Sequence, residues 1–70
     1  MHLQEISENI RERRKTLRIS QEDLASLANV GLRTLKAIES GKGNPSLQTL
    51  NDLTSVLGLE LKLTVKQVNT

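Results

Sequence analysis

The 70-residue chain contains no cysteine, no phenylalanine, no tyrosine and no tryptophan, and it has one proline and one histidine. Without cysteine there is neither a disulfide framework nor a thiolate metal site, and the composition fits a reducing cytosol. Without aromatic rings the chain lacks the stacking platforms that usually grip RNA and single-stranded DNA, so a nucleic-acid partner is expected to be double-stranded DNA. No apolar run approaches the roughly 20 residues that span a bilayer, and the N-terminus has no signal-peptide layout. A membrane partner is therefore not expected, and the cytoplasm is the expected location. Catalytic chemistry has equally little to stand on. His2 sits with Met1 at a frayed end and is read as solvated. There is no Ser/His/Asp or Cys/His set and no metal-ligand cluster, and Gly41 and Gly43 precede no lysine-serine pair that would make a phosphate loop. The expectation is no enzyme, no cofactor and no metal. At 70 residues a single core supplies only a few kcal/mol, a deficit that points to oligomerisation.

What is present is organised around Ser20 to Gly41, which reads as two short helices with a four-residue joint. Ser20 is an N-cap, with Asp23 three positions on and Ile19 and Leu24 placed to close as a hydrophobic staple. The helix starts at Gln21, carries an apolar stripe of Leu24, Leu27 and Ala28, and stops at Asn29, which tolerates the left-handed exit conformation. The joint Ala28-Asn29-Val30-Gly31 leads to a second helix capped by Gly31, with Val30 and Leu35 as a second staple. Helical periodicity turns Leu35 and Ile38 inward and Arg33, Lys36, Ala37 and Ser40 outward, with Leu32 and Thr34 beside them; Gly41 ends the helix.

The flanking segments look like support for this pair. Leu3, Ile6, Ile10 and Leu17 form the stripe of a first helix whose acidic residues come early and whose basic run, Arg11, Arg13, Arg14, Lys15 and Arg18, comes late, as the helix dipole favours. Glu8 with Arg11 and Glu12 with Lys15 are spaced to pair on its surface, and the run as a whole reads as a solvated helix end. Gly41 to Pro45 is a loop; Ser46 caps a fourth helix with the stripe Leu47, Leu50, Leu53 and Leu57, which Gly58 ends. The formal net charge is only +2, so the whole-molecule field argues weakly for nucleic acid. Arg33, Lys36 and Lys42 nevertheless gather on one edge, the local footprint that DNA binding needs.

The run S-Q-E-D-L-A-x-x-A, a turn with Val, a short helix, then I-E-S-G-K and N-P-S-L-x-T-L-x-x-L-x-x-x-L-G resembles the Cro/lambda-repressor (XRE) family of helix-turn-helix proteins over roughly residues 3 to 58. The resemblance implies an all-α, compact domain of four to five helices whose second motif helix lies in the DNA major groove. It implies that Gln21 bonds a phosphate beside the cap residue Ser20, that Leu32, Arg33, Thr34 and Lys36 read bases, and that Ser40, Lys42 and nearby amides hold phosphates. It also implies a buried ion pair between Arg14 and Glu39. The chain departs from the pattern at Asn29, where Gly is common, and at Gly31, where a Ser or Thr cap is common; Gly31 lacks a hydroxyl that could meet a phosphate.

From Leu59 to Lys66 the pattern alternates, with Leu59, Leu61, Leu63 and Val65 on one face and Glu60, Lys62, Thr64 and Lys66 on the other. One strand cannot satisfy its own backbone groups, and nothing else in the chain reads as a strand. The simplest partner is the same strand of a second copy, a homodimer. Centring an antiparallel ribbon on Lys62 would oppose two ammonium groups, and centring it on Leu61 would leave Val65 and Lys66 unmatched. Leu63 at the centre uses the whole strand. A domain followed at once by such a strand is similar to the HipB-like branch of the family, which implies an operator-binding antitoxin beside a HipA-like kinase toxin. The expected organisation is a DNA-binding domain over 1–58, a dimerisation strand over 59–66 and a disordered tail over 67–70. The competing reading is a protein-interaction module that kept the fold and lost DNA binding; the outward Arg33 and Lys36 count against it, because an interaction surface is more often apolar there.

Overall fold

A computed structural model describes residues 2–65; the end of the expected strand at Lys66 and the expected tail over 67–70 lie outside the described residues, as does Met1. Four helices follow one another: α1 (Leu3–Thr16), α2 (Gln21–Ala28), α3 (Leu32–Glu39) and α4 (Leu47–Leu57). The fold is all-α. Both ends of α2 and of α4, and the end of α3, have a local cause. Ser20 Oγ accepts the Asp23 N–H at 3.0 Å and Ser46 Oγ accepts the Thr49 N–H at 3.1 Å, so α2 and α4 begin at hydroxyl caps. Asn29 (φ 55°) and Gly58 (φ 69°) take the left-handed conformation at the ends of α2 and α4. After α3, Ser40 is the cap and Gly41 the left-handed residue, with its N–H on the Ile38 carbonyl at 2.9 Å.

One core serves all four helices: Ile10 from α1, Leu24, Ala25 and Ala28 from α2, Leu35 and Ile38 from α3, and Leu50, Leu53 and Leu57 from α4. Ala25 and Ala28 let α2 approach α3 and α4 closely, and the staple residues Ile19 and Val30 pack half-buried against the same cluster. Two buried hydroxyls need partners and have them, Ser7 on the Leu3 carbonyl at 2.8 Å and Thr54 on the Leu50 carbonyl at 2.9 Å.

Three stripe residues are exposed instead of packed in this core, and a fourth, Leu3, is half-buried outside it. Leu27 is 66% exposed and Leu47 67% exposed, each on the solvent side of its own helix, and Leu17 lies past the end of α1 as its C-cap and is exposed as well. Periodicity gives the angular spacing of residues but not the angle at which a helix docks, and short helices bury a narrower sector than the stripe suggested. The turn from α1 to α2 also holds an unforeseen left-handed residue, Arg18 (φ 57°).

The basic end of α1 is not simply solvated. Arg11 Nη1 donates to the Glu39 carbonyl at 2.9 Å and Arg13 Nε donates to the Leu57 carbonyl at 2.9 Å, so two α1 arginines close the C-terminal ends of α3 and α4. Terminal carbonyls have no partner within their own helix and carry the negative end of its dipole, which is why a guanidinium settles there. The expected surface pairs of Glu8 with Arg11 and Glu12 with Lys15 are not formed; among the described residues ion pairs join Arg14 to Glu39 and, at the surface, Lys62 to Glu60.

After Gly58 the chain runs on through Val65 without sheet pairing among the described residues. Its first half is docked, with Leu59 and Leu61 packed against the core. Its second half is bare: Leu63 is 99% and Val65 94% exposed.

Candidate nucleic-acid interface

The candidate interface is built on α3, eight residues long, with Leu35, Ile38 and Glu39 buried. Its inner end is pinned electrostatically. Glu39 is 3% exposed; its Oε2 accepts Arg14 Nε at 2.7 Å and its Oε1 accepts Arg14 Nη2 at 3.0 Å, a two-pronged contact that fits the planar guanidinium. Arg14 Nη1 also donates to the Ile19 carbonyl at 2.9 Å. The hydrogen bond to Glu39 is the main cause that raises the Arg14 pKa above its ordinary value, helped by the charges of Glu39 and Glu22 and opposed by burial. A third donor completes the carboxylate: Gln21 Nε2 reaches Glu39 Oε1 at 3.2 Å. The first residue of α2 is thus tied to the last residue of α3, on the same carboxylate that Arg14 of α1 holds.

The outer side is open. Arg33, Thr34 and Lys36 are exposed on α3, Lys42 is exposed just after it, and Leu32 and Ala37 are half-buried. Ala37 lies on the outward side of α3 but is half-buried there, low in the surface. Ser40 is exposed, but its hydroxyl donates to the Ala37 carbonyl at 2.8 Å, leaving only its acceptor capacity free. Ser20 is exposed and caps α2. Gly31 opens α3 with no side-chain cap, so amide N–H groups at this N-terminus have no hydroxyl in front of them. Neither Arg33, Lys36 nor Lys42 belongs to an ion pair among the described residues.

Gln21, taken from the resemblance as a phosphate ligand, is half-buried and engaged with Glu39 in the free protein. Arg11 and Arg13 were missed as partners of this scaffold. The glycines after α3 and α4 mark where carbonyls run out, but no sequence signal says which side chain from another helix will reach them.

Between the outward side of α3 and the following loop lies a shallow groove of about 320 Å³, lined by Arg33, Thr34, Ala37, Ile38 and residues 42–45. Arg33 and Lys42 are its charged residues and no carboxylate lines it. Among the described residues no helix is long and apolar enough to cross a membrane.

Comparison with known proteins agrees with this architecture. The helix-turn-helix family model matches residues 10–63, which takes in the second half of α1, all of α2 to α4 and the C-terminal segment as far as Leu63. A protein of Methanothermobacter thermautotrophicus described as an uncharacterized HTH-type transcriptional regulator is 41% identical over 51 residues, covering 73% of this chain and 74% of that one.

Proposed function

The chain belongs to the Cro/lambda-repressor (XRE) type of helix-turn-helix family, a family of DNA-binding transcriptional regulators, and from that premise we propose that it is a sequence-specific repressor acting as a homodimer on a palindromic operator. The observation that carries the reading is the difference in charge pairing around α3. Glu39 is buried and fully paired inward, while Arg33, Lys36 and Lys42 stand exposed without ion-pair partners among the described residues, Arg33 and Lys42 bordering one groove. Exposed cations on a helix of this position suit phosphate and base contacts. In this reading Leu32, Arg33, Thr34 and Lys36 face bases, and Ser20, Gly31, Ser40 and Lys42 lie along the backbone. Gln21 meets a phosphate through whatever capacity its bond to Glu39 leaves.

The dimer reading assigns residues 1–58 to DNA and 59–66 to self-association. Its support is the unpaired run from Leu59 with its bare Leu63 and Val65, next to an apolar groove of about 280 Å³ lined by Ile6, Leu47, Leu50, Asn51, Leu61, Lys62 and Leu63. In an antiparallel ribbon centred on Leu63, the partner subunit's Val65 stands opposite Leu61, at the mouth of that groove, where Leu47 and Leu63 would lose their exposure. A twofold axis there would set two recognition helices about 34 Å apart, one turn of DNA. A HipA-like kinase toxin is the partner that the branch resemblance adds; a kinase frame adjoining this one in the genome would support it.

Salt-dependent retention on duplex DNA, followed by selection of bound duplexes from a random pool, tests the function. A regulator enriches one palindromic sequence, whereas an interaction module retains no duplex. Deleting residues 59–70 tests the dimer: the expected product is a monomer that binds its operator weakly, and a dimer of undiminished operator affinity would overturn the strand model.

A further inference from the structure

A second groove lies next to the one that meets the partner's Val65. About 240 Å³ in volume, it runs between α1 and the segment after Gly58, with Ile6, Ile10, Leu59 and Leu61 as its apolar lining and Glu5 and Glu60 as its charged residues. Among the described residues no lysine or arginine lines it, although the chain as a whole has a formal charge of +2. Both carboxylates are exposed. Glu60 has only a loose surface pair with Lys62 at 3.8 Å, and Glu5 belongs to no ion pair among the described residues. A pair so exposed contributes little and yields to a closer cation.

The segment that forms one wall follows the two-residue period of a strand, since Leu59 and Leu61 pack inward while Glu60 and Lys62 pair on the outside. Both grooves lie along it in order. Lys62 and Leu63 line the apolar groove, Leu59 and Glu60 the acidic one, and Ile6 and Leu61 line both. In the antiparallel ribbon centred on Leu63 a second copy passes the two grooves in that same order. The partner's Val65 stands opposite Leu61, the partner's Lys66 opposite Glu60 and the partner's Gln67 opposite Leu59. The chain's own residues 66–68 would first have to reverse direction, and no glycine or proline follows Gly58 in the sequence to favour a turn.

We propose that this acidic groove seats residues 66–68 of a second copy, so that the dimer contact continues past the strand into the expected tail and takes in α1. The occupant fits the groove in charge and in face. The partner's Lys66, on the outward side of the ribbon, meets the Glu60 carboxylate. The partner's Gln67, on the inward side, lays its methylenes on Leu59 and Ile6 and donates its carboxamide N–H to the Glu5 carboxylate at the rim. Twofold symmetry makes each contact twice. The inference rests on the dimer reading above and fails separately from it.

The test is the dimer dissociation constant of the full chain, measured by sedimentation equilibrium. Glu60→Lys and Lys66→Glu each replace attraction by repulsion at two symmetric sites, and each should weaken the dimer roughly 5- to 100-fold at low salt. Combined, they should restore it to within about threefold of the parent. Glu5 decides the seating, because it lies on α1, where a ribbon of strands alone would leave it silent. Glu5→Ala and Gln67→Ala should each weaken the dimer roughly 5- to 30-fold, and the double variant no more than the worse single one. Losses at Glu5 and Gln67 that multiply overturn the proposal, as does a charge swap that restores nothing. Dimers of unchanged strength in every variant would leave the groove to some other chain and overturn this inference while the dimer reading stands. An unsubstituted protein that sediments only as a monomer overturns both. Glu5 and Glu60 are exposed, so unchanged helix content by circular dichroism is expected of their variants and is measured alongside.

Discussion

On the inner side of α3, Glu39 accepts three side-chain hydrogen bonds from Arg14 and Gln21, and its main-chain carbonyl accepts a fourth from Arg11. On the outer side, Arg33 and Lys36, a turn or two away along the same helix, stand exposed and outside any ion pair among the described residues. Both faces of α3 thus carry charged groups, an acid paired on the inside and bases without ion pairs on the outside. Where water is excluded, an unpaired charge is too costly to keep, so every buried side-chain polar atom among the described residues has a partner. Where water remains, cations can stay unpaired at little cost until a ligand with negative charge arrives. Internal pairing positions the helix; lack of pairing outside leaves it something to bind with.

That contrast is most severely tested by Glu39→Gln. Removing the carboxylate leaves Arg14, whose side chain is 13% exposed, without its charge partner, and breaking a buried pair costs about 3 to 5 kcal/mol. In a domain this small the expected fall in melting temperature is roughly 15 °C or more, read by helical circular dichroism. Melting within a degree or two of the parent would mean that the inner face is not electrostatically pinned at all.

Outer-face substitutions should leave folding alone and act on binding. Arg33→Ala is expected to cost about 1 to 3 kcal/mol on the operator and to flatten preference at one position, measured by titrating operator and random duplexes. Equal losses on both would remove Arg33 from the readers. Lys42→Ala should have a smaller and sequence-blind effect, with the slope of log affinity against log salt reduced by about one. A positional effect there would exchange the roles of the two cations.

The mildest change sharpens the comparison at the open end of α3. Gly31 has φ −61° and ψ 140°, an ordinary extended backbone, and a Cβ added there would meet only Thr34 Oγ1 at 3.7 Å. Gly31→Ser should therefore be accepted without strain, cap α3 and stabilise the fold by a few tenths of a kcal/mol, visible as a small rise in melting temperature. A second hydroxyl at this edge should also tighten all duplexes slightly and alike.

Much of the fold was legible in local chemistry, because caps and helix exits are settled by neighbours along the chain. Ser20, Asn29, Ser46 and Gly58 each act within four residues of their own position, and all four stand where the sequence puts them. That Arg33 and Lys42 border one groove was legible for a similar reason, since a short helix and its exit are close in sequence. The Arg14 to Glu39 contact came from family resemblance, not from periodicity. What only the tertiary structure decided is whatever depends on how one helix docks on another. Arg11 and Arg13 reach carbonyls 28 and 44 residues away, Gln21 turns to Glu39, and Leu27 and Leu47 fall outside the sector that contact with other helices covers. A helical pattern records the spacing of side chains around one axis; the angle and distance between axes, which choose a charge's partner and a leucine's neighbours, are set jointly by the packing of the whole core.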